Sequence, residues 1–145
     1  MIKRQVQALA GGICVAIIVQ ESIWIGLDLL DPARALNRQL AEAPLADGWL
    51  TPLLVAWLVG GVFGGLMATL VGRSRYSGHA AGLLLSSSAL LIAAISLPGA
   101  GALLVIAATP SLGAAFGAGI GVSLLDGEGD GLVRPSLVTL RSGFS

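Results

Sequence analysis

An ionisable side chain inside an apolar stretch is the first candidate for chemistry in this sequence. Glu21 follows residues 5–20, none of which is charged, and Gln20 and Ser22 flank it. It lies about fifteen residues into the first apolar block, which is roughly 22 Å along a helix. A carboxylate at that depth in a membrane costs about 3 kcal/mol on insertion scales and marks a functional hypothesis. Glu21 is therefore a candidate for carrying a proton.

A structural role for Glu21 is the alternative. Hydroxyl groups occur in later apolar blocks, at Ser86, Ser87 and Thr109. A hydrogen bond between one of them and Glu21 would fix how the helices align without moving a proton. The sequence offers no basic residue inside an apolar block to pair with Glu21.

The remaining polar groups do not form a catalytic or metal-binding pattern. His79 is the single histidine, and no cysteine or carboxylate ligand stands near it in the sequence. Serines 86–88 lack a neighbouring base to activate a nucleophile. Residues 126–131 match the first half of a calcium loop, but the twelfth position is Leu137, where a glutamate is required. We expect no enzymatic activity, no metal site and no cofactor.

Composition places the chain in a membrane. Its residues are 55% hydrophobic and only 11% charged, whereas charged residues make up about a quarter of a soluble domain. The apolar residues fall into blocks of about 20, which is the length that crosses a bilayer. The net charge is zero and aromatic residues are 5%, so we expect the lipid bilayer as surroundings and no nucleic-acid partner.

The apolar blocks predict an all-α polytopic membrane protein with four transmembrane helices in a bundle. The predicted spans cover residues 6–30, 49–72, 80–97 and 102–125, within a domain of residues 1–125. Residues 31–48 form an outer loop, in which residues 33–43 are expected to be a short interfacial helix. A turn at Pro98 joins the last two spans. Residues 126–145 are a polar cytoplasmic tail, expected to be mobile.

Basic residues predict the orientation. One side of the membrane would hold Lys3, Arg4, Arg73, Arg75, Arg134 and Arg141, and the other would hold Arg34 and Arg38. The positive-inside rule then places both termini in the cytoplasm.

Glycines at a spacing of four predict how the helices associate. They are Gly60, Gly61, Gly64 and Gly65 in the second span and Gly113, Gly117 and Gly121 in the fourth. Because lipid tails are as apolar as leucine, helices in a membrane associate through the close contact that small residues permit. These faces either meet inside one bundle, or one is left for a second copy or another membrane protein.

The order of features resembles a widespread group of uncharacterised bacterial four-span inner-membrane proteins. Members carry a glutamate in the first span, a proline in the outer loop, the pattern W-x-x-G-x-x-x-G-G-x-x-A, a basic turn and two later prolines. The matching positions are Glu21, Pro32, Trp57, Gly60, Gly64, Gly65, Ala68, Arg73, Arg75, Pro98 and Pro110. Where members often have histidines, one turn after the glutamate and in the hairpin, this chain has Ile25 and Leu97-Pro98-Gly99. The resemblance implies a four-span fold in the bacterial inner membrane and no particular activity.

Together these features predict a non-enzymatic inner-membrane protein with a structural or accessory-subunit role through glycine-mediated helix packing. The alternative is a small proton-linked transporter or channel-like protein that uses Glu21.

Overall fold

The part of the chain that the structure describes is helical apart from one short turn. The computed structural model describes residues 2–30, 50–96 and 100–131. Its helices are α1 (Ile2–Leu30), α2 (Leu50–Gly72), α3 (Arg75–Ser96) and α4 (Ala100–Gly131). Three stretches are long and apolar enough to cross a membrane: α1, Thr51–Gly72 within α2, and Leu104–Gly127 within α4. The predicted all-helical class is confirmed, with three candidate membrane-spanning helices.

Several sequence predictions lie outside the described residues. They are the outer loop with its interfacial helix, the turn at Pro98 and residues 132–145 of the tail. The first six residues of that predicted tail are described, and they continue α4 as a helix to Gly131. The glycines in this segment lower the stability of the helix by about 1 kcal/mol each relative to alanine. Unlike a proline, a glycine keeps its backbone N–H, so the helical hydrogen bonds continue.

α2 lies at the centre of the bundle. It packs against α1 on one side and α4 on another, while α1 and α4 do not touch within the described residues. α3 packs on α4 and α2, and it meets α1 near Ser77. Because Gly12 lies against Gly64 whereas Ala16 lies against Gly60, α1 runs antiparallel to α2. Since Gly61 lies against Pro110 and Gly65 lies against Ala114, α2 and α4 run parallel.

The buried core consists mainly of small residues. Its apolar members are Ala8, Ala16, Ala56, Trp57, Ala68, Ala81, Leu85, Ala89, Ile106, Ala114 and Ala118. Trp57 is the largest of them and packs with Ala89 and Ile106, where α2, α3 and α4 meet. The helices are thus close together along most of their length, and Trp57 fills the wider space towards the start of α2.

The turn between α2 and α3 is shorter than expected. α3 begins at Arg75, five residues before the predicted start at residue 80. Arg73 has a positive φ of 48°, and the Ser74 N–H donates to the Thr69 carbonyl at 3.3 Å. These are the features of a Schellman cap, which ends one helix within two residues. Ser74 then precedes the first residue of α3, a position where serine favours helix initiation.

Candidate functional site

The contact between α1 and α2 is built from small residues on both helices. Ala8, Gly12 and Ala16 are the buried residues of α1. A Cβ atom added at Gly60 would lie 2.9 Å from the Ala16 carbonyl oxygen, and one added at Gly64 would lie 2.8 Å from the Gly12 carbonyl oxygen. Sequence reasoning missed the α1 half of this contact, although the spacing of four between its small residues was a signal.

The contact between α2 and α4 uses the other predicted glycines. Gly61 and Gly65 lie against the α4 backbone. The α4 glycines likewise lie against the α2 backbone. A Cβ atom added at Gly113 would overlap the Leu58 carbonyl oxygen, and one added at Gly117 would overlap the Val62 carbonyl oxygen. Gly121 lies against the Thr69 side chain. All seven glycines singled out in the sequence therefore lie at contacts between helices of the same chain.

A pair of serine hydroxyls joins α3 to α4 beside a buried proline. Pro110 lies inside α4 and has no N–H to donate, so it interrupts the helical hydrogen bonds. The N–H of Ser111, the next residue, donates to the Ser86 hydroxyl at 3.1 Å. The two hydroxyl oxygens are 2.5 Å apart, and the Ser111 hydroxyl also donates to the Gly82 carbonyl at 3.3 Å. Ser86 thus accepts a hydrogen bond from the backbone of α4 directly after the proline and joins α3 to α4 there.

Thr69 is a buried polar residue without a hydrogen bond from its side chain. It is 0% exposed, and its hydroxyl has no partner among the described residues. It lies where α2, α3 and α4 meet, against Gly78 and Gly121. A buried hydroxyl without a partner lowers stability.

Basic residues cluster at the end of the bundle that holds the α2–α3 turn. The Arg4 Nε donates to the Val71 carbonyl at 2.9 Å, at the C-terminal end of α2, where a cation stabilises the helix dipole. Lys3, Arg73 and Arg75 are exposed at the same end. The Ser77 hydroxyl also ties α3 to α1 by donating to the Gln5 side chain at 2.8 Å.

Glu21 lies on the side of α1 that faces away from the bundle. It is exposed, and no hydrogen bond joins it to another described residue. Gln20 is half-buried beside Gly60, and the exposed Ser22 donates to the Ile18 carbonyl of its own helix at 2.7 Å. The structure therefore places the three predicted polar residues side by side but does not join them in one hydrogen-bonded group.

The hydroxyls that the sequence offers as partners of Glu21 have other partners. Ser86 pairs with Ser111, Ser87 donates to the Leu83 carbonyl at 2.9 Å, and Thr109 donates to the Val105 carbonyl at 2.7 Å. Thr109 is also on α4, which α1 does not touch within the described residues.

The described side chains do not converge on a metal. No group of three or more His, Cys, Asp or Glu residues that could hold an ion occurs in the described helices. Asp126, the first residue of the calcium-like sequence, is exposed on α4, in a helix rather than a loop.

Comparison with known proteins found no relative of this chain. No protein-family model, no curated protein and no solved structure matches the chain.

Proposed function

We propose that the chain is a small inner-membrane protein of four spans that acts through helix–helix contacts, as a structural protein or an accessory subunit, rather than by catalysis. One observation carries this proposal. Glu21 lies in α1, a helix long and apolar enough to cross a membrane, yet it is exposed on the side of α1 that faces away from the bundle. Polar and charged residues in membrane helices almost always face other protein or water, because exposure to lipid is costly. A second protein surface against α1 would remove that cost.

The direction of the helices supports α3 as the fourth span. α2 and α4 run parallel and both have the length and composition to cross the membrane. The segment that connects the end of α2 to the start of α4 then has to cross in the opposite direction. α3 has 22 residues, or about 33 Å of helix, and its sequence carries no Asp, Glu, Lys or Arg after Arg75.

Charge supports the proposed orientation. Lys3, Arg4, Arg73 and Arg75 lie at the same end of the bundle. The positive-inside rule makes that end cytoplasmic, with both α1 starting and α4 ending there.

The burial of α1 fits an accessory role. Only 6% of the most apolar part of α1 is buried, compared with 44% for α2 and 39% for α4. The glycine faces are covered by neighbouring helices, so they support the bundle itself. The surface left for a partner is therefore on α1 rather than on the glycines.

Purification from native membranes in mild detergent tests the proposal. We expect the wild type to retain a membrane-protein partner, another copy or a different protein, in a fixed ratio. Glu21→Leu should lose it, whereas Ser22→Ala should keep it, because Ser22 is exposed but bonded to its own helix. A wild type that runs as a single copy with no partner would contradict the proposal.

Proton transport through Glu21 is the alternative function. Its support is an ionisable residue in a membrane-spanning stretch with no hydrogen bond to another described residue. In proteoliposomes, transport would appear as a proton flux that Glu21→Gln abolishes. An equal flux in wild type, variant and empty vesicles would exclude this alternative.

A further inference from the structure

We infer that a basic cluster at one end of the bundle, formed by Lys3, Arg4, Arg73 and Arg75, binds the headgroup of an anionic phospholipid. These residues lie at the end that holds the α2–α3 turn. The inference requires α2 to cross a membrane, but it does not depend on what covers α1. It goes beyond the proposed orientation because it assigns a ligand to these residues.

The basic cluster lies at the depth of the lipid headgroups. Arg73 directly follows the candidate span Thr51–Gly72, and Arg75 comes two residues later. Tyr76, next to Arg75, is 84% exposed. Tyrosine is enriched at the membrane–water interface because its ring is apolar and its hydroxyl is polar. The phosphate groups of the surrounding lipids stand at the same level as these side chains.

The positive charges of the basic cluster have no carboxylate partner among the described side chains. All four residues are exposed, and none of them forms an ion pair there. The acidic residues of α4 come later along the bundle. Gly121 lies against Thr69, near the end of α2, so Asp126, Glu128 and Asp130 follow beyond that end. The cluster therefore presents an excess of positive charge at the headgroup level.

Arg4 presents a guanidinium group that the bundle holds in place. Its Nε donates to the Val71 carbonyl at 2.9 Å, the one hydrogen bond that this side chain makes to described residues. A guanidinium has five N–H donors, so those on both Nη atoms stay available. Two parallel N–H groups match two oxygens of a phosphate. Arg4 can thus bind the end of α2 and a lipid phosphate at the same time.

Arg73 occupies a position where the turn itself favours glycine. Its φ is 48°, a conformation that glycine adopts without steric cost. The Arg73 side chain is exposed and makes no hydrogen bond to a described residue, so it does not hold the turn together. A negatively charged ligand accounts for an arginine at this position.

A lipid fits the basic cluster better than a soluble anion does. Clusters of Lys and Arg at the end of a membrane span attract acidic headgroups. Tyr76, Leu83 and Leu90 are exposed and lie on one face of α3 at a spacing of seven. A phospholipid can place its phosphate at the cluster and its acyl chains along this apolar face, whereas a soluble phosphate has no such contact.

Native mass spectrometry of the full chain in a neutral detergent tests the inference. The probes are phosphatidylglycerol and phosphatidylcholine with the same acyl chains, because they differ in net charge. We expect the wild type to retain phosphatidylglycerol and to lose phosphatidylcholine at the same lipid concentration. Equal retention of the two lipids would overturn the inference. Displacement of phosphatidylglycerol by glycerol phosphate would also overturn it, by assigning the cluster to a soluble anion.

Variants of Arg73 separate lipid binding from folding. Arg73→Gly should lower the retention of phosphatidylglycerol about five-fold, the equivalent of about 1 kcal/mol for one basic residue near an anionic surface. Glycine suits the left-handed position, so thermal unfolding in the same detergent should show a fold at least as stable as the wild type. Arg73→Lys keeps the charge and should keep most of the lipid. An equal loss in both variants would overturn the electrostatic basis of the inference.

Arg34→Gln is the matched control, because it removes one positive charge outside the basic cluster. Arg34 follows Leu30 by four residues, a reach of about 14 Å, whereas the 29 residues of α1 extend about 43 Å from the cluster. This variant should retain phosphatidylglycerol as the wild type does. A loss equal to that of Arg73→Gly would mean that net charge alone attracts the lipid, and it would overturn the inference.

This inference and the proposed function fail in different ways. A chain that purifies without a protein partner but retains phosphatidylglycerol through Arg73 would exclude the accessory role and support the lipid site. A chain that keeps a partner through Glu21 but does not discriminate between the two lipids would do the reverse.

Discussion

The hydroxyl of Ser86 accepts a hydrogen bond from the backbone N–H of Ser111 at 3.1 Å, across the contact between α3 and α4. Ser111 directly follows Pro110, which is buried in α4. The serine on α3 thereby binds the backbone of α4 one residue after the proline, where the helical hydrogen-bond pattern is interrupted. This bond and the hydroxyl pair of Ser86 and Ser111 hold α3 against α4 at that point.

Ser86→Ala should destabilise the bundle by about 1–2 kcal/mol, because the Ser111 N–H and hydroxyl lose a half-buried partner on the neighbouring helix. Ser88→Ala is the matched control. Ser88 is exposed and donates to the Leu84 carbonyl of its own helix at 3.0 Å, so its loss should have little effect. Equilibrium unfolding in mixed detergent micelles would measure both. Equal losses for the two variants would contradict the proposed role of Ser86.

Gly117→Ala should destabilise the contact between α2 and α4 by about 2 kcal/mol or more, the cost of overpacking a well-packed interface. The added methyl group would overlap the Val62 carbonyl oxygen, which is backbone and cannot move aside cheaply. Gly119→Ala, two residues along the same helix, is the control. A methyl group there meets nothing within 4 Å, so we expect a gain of up to about 1 kcal/mol from helix propensity. Thermal unfolding in detergent should move in opposite directions for the two variants, and a similar shift for both would contradict the contact.

Much of this architecture was accessible from the sequence. The uncharged apolar blocks predicted the helical class, and the spacing of Gly113 and Gly117 drew attention to a surface that the structure places against α2. The sequence could not show which helix each glycine faces. Gly60 and Gly61 are neighbours, yet one faces α1 and the other faces α4, because adjacent helical residues point about 100° apart.

The position of Glu21 in the sequence predicts its depth along α1 but not the side of α1 on which it lies. Depth along a helix follows from counting residues, but direction depends on which stripe of α1 packs on α2. The stripe of Ala8, Gly12 and Ala16 decides this, and the sequence does not single it out because the small residues Ala10 and Gly11 lie beside it on other sides of the helix. Once that stripe is assigned, the helical period alone places Glu21 on the opposite side.

Thr69→Val should stabilise the bundle by about 1–2 kcal/mol, because it replaces a buried hydroxyl that lacks a partner by a methyl group of similar size. Thr109→Val is the control, since the Thr109 hydroxyl already donates to the Val105 carbonyl of its own helix. We expect little change there. Unfolding in mixed micelles would compare both variants with the wild type. A loss of stability in Thr69→Val would mean that the hydroxyl has a partner in the folded protein.

Arg73→Gly should stabilise the turn between α2 and α3. Arg73 has a φ of 48°, a left-handed conformation that costs a residue with a side chain about 1–2 kcal/mol and costs glycine almost nothing. The cap itself should persist, because the Ser74 N–H still donates to the Thr69 carbonyl. The gain should be about 1 kcal/mol, measured by unfolding in detergent.

Arg73→Ala separates the backbone effect from the charge. This variant removes the same positive charge but keeps a side chain at the left-handed position, so it should not gain stability. If Arg73→Ala and Arg73→Gly stabilise equally, the charge would be responsible and the conformational explanation would be wrong. If only the glycine variant gains, the position is one where a glycine would be optimal for the turn. In that case the retained arginine would be explained by its charge at the proposed cytoplasmic end, where basic residues set the orientation of membrane helices.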